Sequence, residues 1–255
     1  MSNTQESVIS PLIEHDEGGL LRGAIRRART ASRLRRSALF RSLFELGPQT
    51  RILDLGGSNG AHVHSLLAGT PVRPENVHVA DVDHQAVRTA ASRYGFMPVA
   101  LGAEADLPFG DAYFDIVLCS SVLEHVTIPQ DEIWRERSTV RFRQRAQQRQ
   151  QRFAREIERV TRGYFVQVPN RWFPIETHTW LPFVGYMPRS WQLRVIGVSN
   201  RLWIKKTAPN FYLPTAADMT GYFPAAALIR EKVGGMTKSL IMVKGTKDTG
   251  RSFSR

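Results

Sequence analysis

Residues 51–67, RILDLGGSNGAHVHSLL, read as a buried strand, a glycine-rich turn and a helix. The same kind of unit recurs. NVHVADV is a second strand, followed by a helix from His84 to Tyr94. MPVAL, FDIVLCS and GYFVQVP are three more strands, and a helical segment starts at Ser121. Short apolar strands alternating with helices argue for a parallel sheet covered by helices on both faces. The pattern changes near the end, where ALIREKVGG and SLIMVKG are joined by a short link and predict an antiparallel hairpin.

The chain has 255 residues, 42% of them apolar, enough for one sizeable core. Residues 1–19 read as a flexible tail. Residues 20–46 read as a basic amphipathic helix, with Leu21, Ile25, Leu39, Leu43 and Leu46 at helical spacing and Gly47-Pro48 as its stop. Residues 47–255 form the main domain. Within it, 131–162 is a basic helical insertion rich in Arg and Gln, whose few apolar anchors predict a largely exposed or partner-bound helix. Residues 169–191 hold four prolines and three tryptophans, which predicts a long aromatic loop rather than a helix.

The net charge is +12 and unevenly spread: residues 22–41 carry many arginines and no acid. Such blocks suit an anionic partner (nucleic acid, lipid headgroups or a phosphorylated substrate) or a solvated helix face. One cysteine, Cys119, excludes an intramolecular disulfide and a cysteine zinc site, and on an apolar strand it reads as core. No apolar run is long enough to cross a bilayer. The polar, acidic N-terminus lacks the pattern of a secretory signal, which predicts a cytoplasmic protein.

A glycine turn between strand and helix lets backbone approach a ligand. The dinucleotide pattern G-x-G-x-x-G would need glycines at positions held by Ser58 and Ala61, and no G-K-[ST] pair marks a phosphate loop. As acid-x-G-x-x-x-G the turn runs from Asp54 to Gly60, and Asp81 ends the next strand. Asp81 suits two ribose hydroxyls, and Asp54 an amino-acid ammonium. The other reading of Asp81 is an N-cap for the next helix. S-adenosylmethionine has the ribose and ammonium and no phosphate.

ILDLGGSNG, VHVADVD, EADLPFGDAYFDIVLCSSVLEHV and YFVQVPN together resemble class I S-adenosylmethionine-dependent methyltransferases of the type 11 branch, over roughly residues 50–170. The phrase LPF-x-D-x-x-FD, an apolar strand and LEHV are its most telling part. The resemblance implies an α/β fold: a doubly wound, mostly parallel, Rossmann-like seven-stranded sheet with the last strand antiparallel. It also implies S-adenosylmethionine as cofactor. Carried over position by position, it sets Asp54, Gly56, Gly57, Ser58 and Gly60 around the methionine part. Asp81 falls on the ribose, Val82 against adenine, Glu104 and Ala105 at the adenine edge, and Ser120 on the far wall. Ser58 stands where the family has glycine, and Ala103 where it often has Asp; Asp106 or Glu104 is the nearest substitute for that contact.

Methyl transfer needs a base only when the acceptor arrives protonated. His125, just past the fourth strand, and Glu176 and His178, in the aromatic loop, are the catalytic candidates; no metal is expected. PNRWFPIETHTWLPF resembles a segment of methyltransferase-like proteins of bacterial surface glycan and lipid pathways. That implies O-methylation of a small-molecule, sugar or lipid-linked acceptor. The basic helix would then contact the anionic inner face of the membrane. Two other readings stand beside this one: a nucleic-acid methyltransferase gripping through its arginines, and a non-catalytic binding protein on the same fold.

Overall fold

A computed structural model of the chain describes residues 20–102, 106–174, 184–202 and 207–247. The chain divides into two compact units, Met1–Leu39 and Phe40–Arg255. Helix α1 spans Leu20–Leu43. It stops three residues before the expected end, ahead of a turn in which the Gly47 N–H donates to Thr50 Oγ1 at 2.8 Å. Among the described residues no helix is long and apolar enough to cross a membrane.

The larger unit is built on seven strands: β1 Ile52–Leu55, β2 Val77–Asp81, β3 Met97–Ala100, β4 Phe114–Ser120, β5 Thr161–Pro169, β6 Ala227–Val233 and β7 Met236–Lys244. Their order is β3-β2-β1-β4-β5-β7-β6. The first five run parallel, whereas β7 is antiparallel to both β5 and β6. All four residues of β1 are buried, as expected of a strand covered on both faces. Helices α2 (Ala61–Leu67) and α3 (His84–Tyr94) follow β1 and β2. The order reverses between β1 and β4, where Leu55 pairs with Cys119. The crevice beyond the carboxyl ends of those two strands is where open α/β sheets bind ligands.

The Arg/Gln-rich stretch is helix α4, Thr139–Val160, and it is the crossover from β4 to β5. It is anchored more deeply than its composition suggests. Phe142, Ala146, Phe153, Ala154, Ile157 and Val160 line one buried face. The polar residue on that face, Gln150, is fully buried. Its amide donates to the carbonyls of Leu123 (3.0 Å) and Tyr212 (2.9 Å), and its Oε1 accepts from the Tyr222 hydroxyl (3.3 Å). A buried amide survives only when its bonds are made. We expect Gln150→Leu to cost about 2–5 kcal/mol of stability, because two carbonyls and a phenol lose their partner. Urea unfolding measures this; a loss below about 0.5 kcal/mol would mean water replaces the amide.

Two further helices were not foreseen from sequence. Helix α5, Arg189–Leu202, begins inside the stretch expected to be loop, directly after Pro188, which closes the run of prolines. Helix α6, Ala216–Tyr222, starts with a capping box between Thr215 and Asp218.

Candidate active site

Asp54 stands at the tip of β1, only 2% exposed. Its Oδ2 is buried and makes no hydrogen bond. Burial, and then the nearby charge of Asp81, push its carboxyl up to about 7. A buried carboxylate oxygen without a donor is costly and suits a cationic ligand group. The turn beyond it leaves room for one. A Cβ on Gly57 would sit 2.3 Å from Asp54 Oδ2, and one on Gly56 would sit 2.2 Å from Val122 Cγ2.

The turn is pinned from β2. The Gly56 N–H donates to the Ala80 carbonyl at 2.7 Å. Ser58 adopts φ 50°, a left-handed conformation that costs a side-chain-bearing residue about 1 kcal/mol or more. Its N–H donates to Asp81 Oδ2 at 2.9 Å, which holds it there. So the serine in the glycine's place is tolerated because Asp81 ties it down. Gly60, at φ 74°, takes the chain into α2.

Asp81 is not the N-cap of α3. Asp83 is: its side chain accepts from the N–H groups of Gln85 and Ala86. Asp81 Oδ1 instead accepts from the Asp83 N–H at 3.0 Å. Each carboxylate oxygen can accept a second bond, so both remain competent for hydroxyl donors. Val82, beside it, is 68% exposed and offers an apolar contact to a ring.

Ser120 ends β4, and its hydroxyl donates to Gln167 Oε1 at 2.7 Å. Ser121 follows at φ 58° and reaches the same oxygen at 3.3 Å. The buried Gln167 of β5 thus organises the edge of β4. Its signal in the sequence was a lone polar residue inside YFVQVP. The 3-10 turn Leu123–His125 comes next and carries His125, half-buried, past the end of β4. Cys119 is fully buried and its thiol is pushed up, first by burial and then by the charges of Glu124 and Asp54, so it is core and no nucleophile.

The structure therefore gathers Asp54, Gly56, Gly57, Ser58, Gly60, Asp81, Val82, Ser120 and His125 along the carboxyl edge of β1, β2 and β4. Glu104, Ala105, Glu176 and His178 lie outside the described residues. Asp106, the substitute considered for the adenine contact, is gripped by Arg152 through both oxygens at 2.8 and 2.7 Å.

A sheet of this order with β7 reversed, and an acid–glycine turn facing a second acid, define the class I S-adenosylmethionine-dependent methyltransferase. Residues 53–165 match the family model described as "Methyltransferase domain", of the type 11 branch, so the chain carries a methyltransferase domain of that kind. A protein of Pyrococcus horikoshii shares the fold with a TM-score of 0.52 at 15% identity, over 87% of this chain and 92% of that one. A S-adenosylmethionine-dependent methyltransferase of Mesorhizobium loti does so with a TM-score of 0.50 at 10% identity, over 81% and 95%. No curated protein sequence matches the chain. S-adenosylmethionine is the cofactor of this domain, and the partnerless Asp54 Oδ2 and the space kept by Gly57 fit its amino-acid end.

Proposed function

We propose that this protein transfers a methyl group from S-adenosylmethionine to a hydroxyl of a small-molecule, sugar or lipid-linked acceptor. One observation carries the reading. The buried Asp54, the Asp81-tied turn and His125 share the carboxyl edge of adjacent strands. Bound S-adenosylmethionine would supply a methyl group already activated on a sulfonium. Asp54 would hold the ammonium, Asp81 the ribose hydroxyls, and Val82 the adenine face. His125 would take the acceptor's hydroxyl proton as its oxygen attacks the methyl carbon, so that the carbon–sulfur bond breaks and the ether forms. Exposed Trp172 and Tyr186, with rings 5.5 Å apart just past the end of β5, support a sugar or amphipathic acceptor there.

The arginines of α4 favour a nucleic-acid grip less than their number suggests. Arg141, Arg145, Arg152 and Arg159 are ion-paired with Glu136, Glu132, Asp106 and Glu156. Calorimetric titration with S-adenosylmethionine and S-adenosylhomocysteine tests the proposal, and a folded protein that binds neither sinks it. His125→Ala is expected to slow single-turnover transfer to a hydroxylated acceptor by about 100-fold or more. Affinity for S-adenosylhomocysteine should change less than about two-fold. Equal transfer rates in the two proteins would remove His125 as base.

A further inference from the structure

Arg189 is the largest side chain buried to this degree, 2% exposed. Its guanidinium lies 3.9 Å from the centroid of the Phe142 ring. It donates to the carbonyls of Ile133 (2.8 Å) and Glu136 (3.5 Å). Among the described residues no carboxylate pairs with it. Burial pulls it down to about 10, so it stays charged at neutral pH. The charge of Glu136 acts on it from a distance but makes no ion pair with it, so a buried guanidinium is left that an anion could still pair with.

Such a space exists beside it. A cavity of about 80 Å³ is lined by Arg143, Arg171 and Arg189, by Phe142 and Tyr212, and by no acid. One water needs roughly 10–15 Å³ on the same measure, so the space admits a compact tetrahedral oxyanion. Arg171 is held over the Tyr212 ring at 5.7 Å. Both α4 and α5 begin here, tied together where the Arg189 N–H donates to Thr139 Oγ1 at 2.9 Å. Neither has an acid in its first turn, so both positive helix ends add to the field. Glu136, the acid whose charge acts on Arg189, is itself paired with Arg141 at 3.3 Å and accepts from the Ser138 N–H at 2.8 Å.

The cavity adjoins the reaction edge. Arg171 comes two residues after the end of β5, and the Tyr212 N–H donates to the carbonyl of Glu124, the neighbour of His125, at 2.8 Å. We infer that the methyl acceptor carries a phosphate group, and that Arg143, Arg171 and Arg189 hold it in this cavity. The assignment of that phosphate to the acceptor rests on the methyltransferase reading; the anion site itself does not. Three cations around a small aromatic-walled space, the buried Arg189 held by its own contacts, give a phosphate more donors than a carboxylate can use.

The test is calorimetric titration of the full chain with inorganic phosphate near neutral pH, with acetate in parallel and S-adenosylhomocysteine binding measured on the same samples. Saturable phosphate binding, weakened about ten-fold or more in both Arg143→Gln and Arg171→Gln, is the expected result. These two side chains are more exposed than Arg189, so the variants should fold, and retained S-adenosylhomocysteine binding checks that they do. Arg189→Met should abolish the phosphate signal. Absence of saturation, equal binding of acetate, or affinity unchanged in both glutamine variants would overturn the inference. Loss of phosphate binding alone would leave the methyltransferase reading standing; loss of S-adenosylhomocysteine binding alone would leave the anion site standing. Glycerol 3-phosphate and vesicles containing phosphatidic acid then separate the sources. Arginine-dependent binding of the first points to a soluble phosphorylated acceptor, and of the second to a lipid-borne one.

Discussion

Asp54→Asn should bind S-adenosylmethionine about 10- to 100-fold more weakly than the natural chain, the worth of one charge-assisted hydrogen bond in a buried site. The variant keeps the shape of the side chain at the tip of β1 and removes only its capacity for charge. The same substitution gives a second signature. With its carboxyl raised to about 7, Asp54 of the cofactor-free protein is largely protonated at pH 6. An ammonium binds the ionised form, so affinity should rise with pH up to about 7, below the range where an α-amino group itself loses its proton. Stability runs the other way. The folded-state value lies above the ordinary 3.8, so the folded chain holds the extra proton. The contribution to stability is complete below about pH 4 and is lost as pH rises through about 7. Asp54→Asn should lack both slopes, and at pH 8 should melt higher than the natural chain without cofactor. Titrations and melts at pH 6 and 8 check this; a pH-independent affinity in the natural chain would remove Asp54 as the ammonium's partner.

Asp81→Ala should weaken S-adenosylmethionine by about 100-fold or more, because it removes two functions at once. The ribose hydroxyls lose their acceptor. The N–H groups of Ser58 and Asp83 lose theirs too, and Ser58 is then free to leave its strained conformation at φ 50°. Asp81→Asn, which keeps one acceptor oxygen, should fall between. Removing the Asp81 charge also relieves the second cause of the Asp54 shift, so the pH at which affinity levels off should move down in both variants. If Asp81→Ala retains full affinity, the ribose lies elsewhere.

The sheet was readable because strand-forming apolar runs and helix-forming stretches alternate, and each depends on neighbours a few residues away. The glycine turn was readable for the same reason: Asp54, Gly56, Gly60 and Asp81 follow local spacing. Other features were not. Asp81 and Asp83 are both acids ahead of α3, and only the backbone shows that Asp83 caps it. Helix α4 looked too polar to bury a face, since Gln150 counts as polar in any pattern. Its burial becomes tolerable through carbonyls 27 and 62 residues away.

The chain's local chemistry thus settled the order of strands and helices, the glycine turn and the two acids that frame it. It could not tell one arginine from another among so many. Arg189 differs because the folded chain sets Ile133 and Phe142, some fifty residues earlier, against it and brings Arg143 and Arg171 to the same cavity. Whether a charge is solvated or buried depends on what is packed over it, and that is decided by contacts distant in sequence.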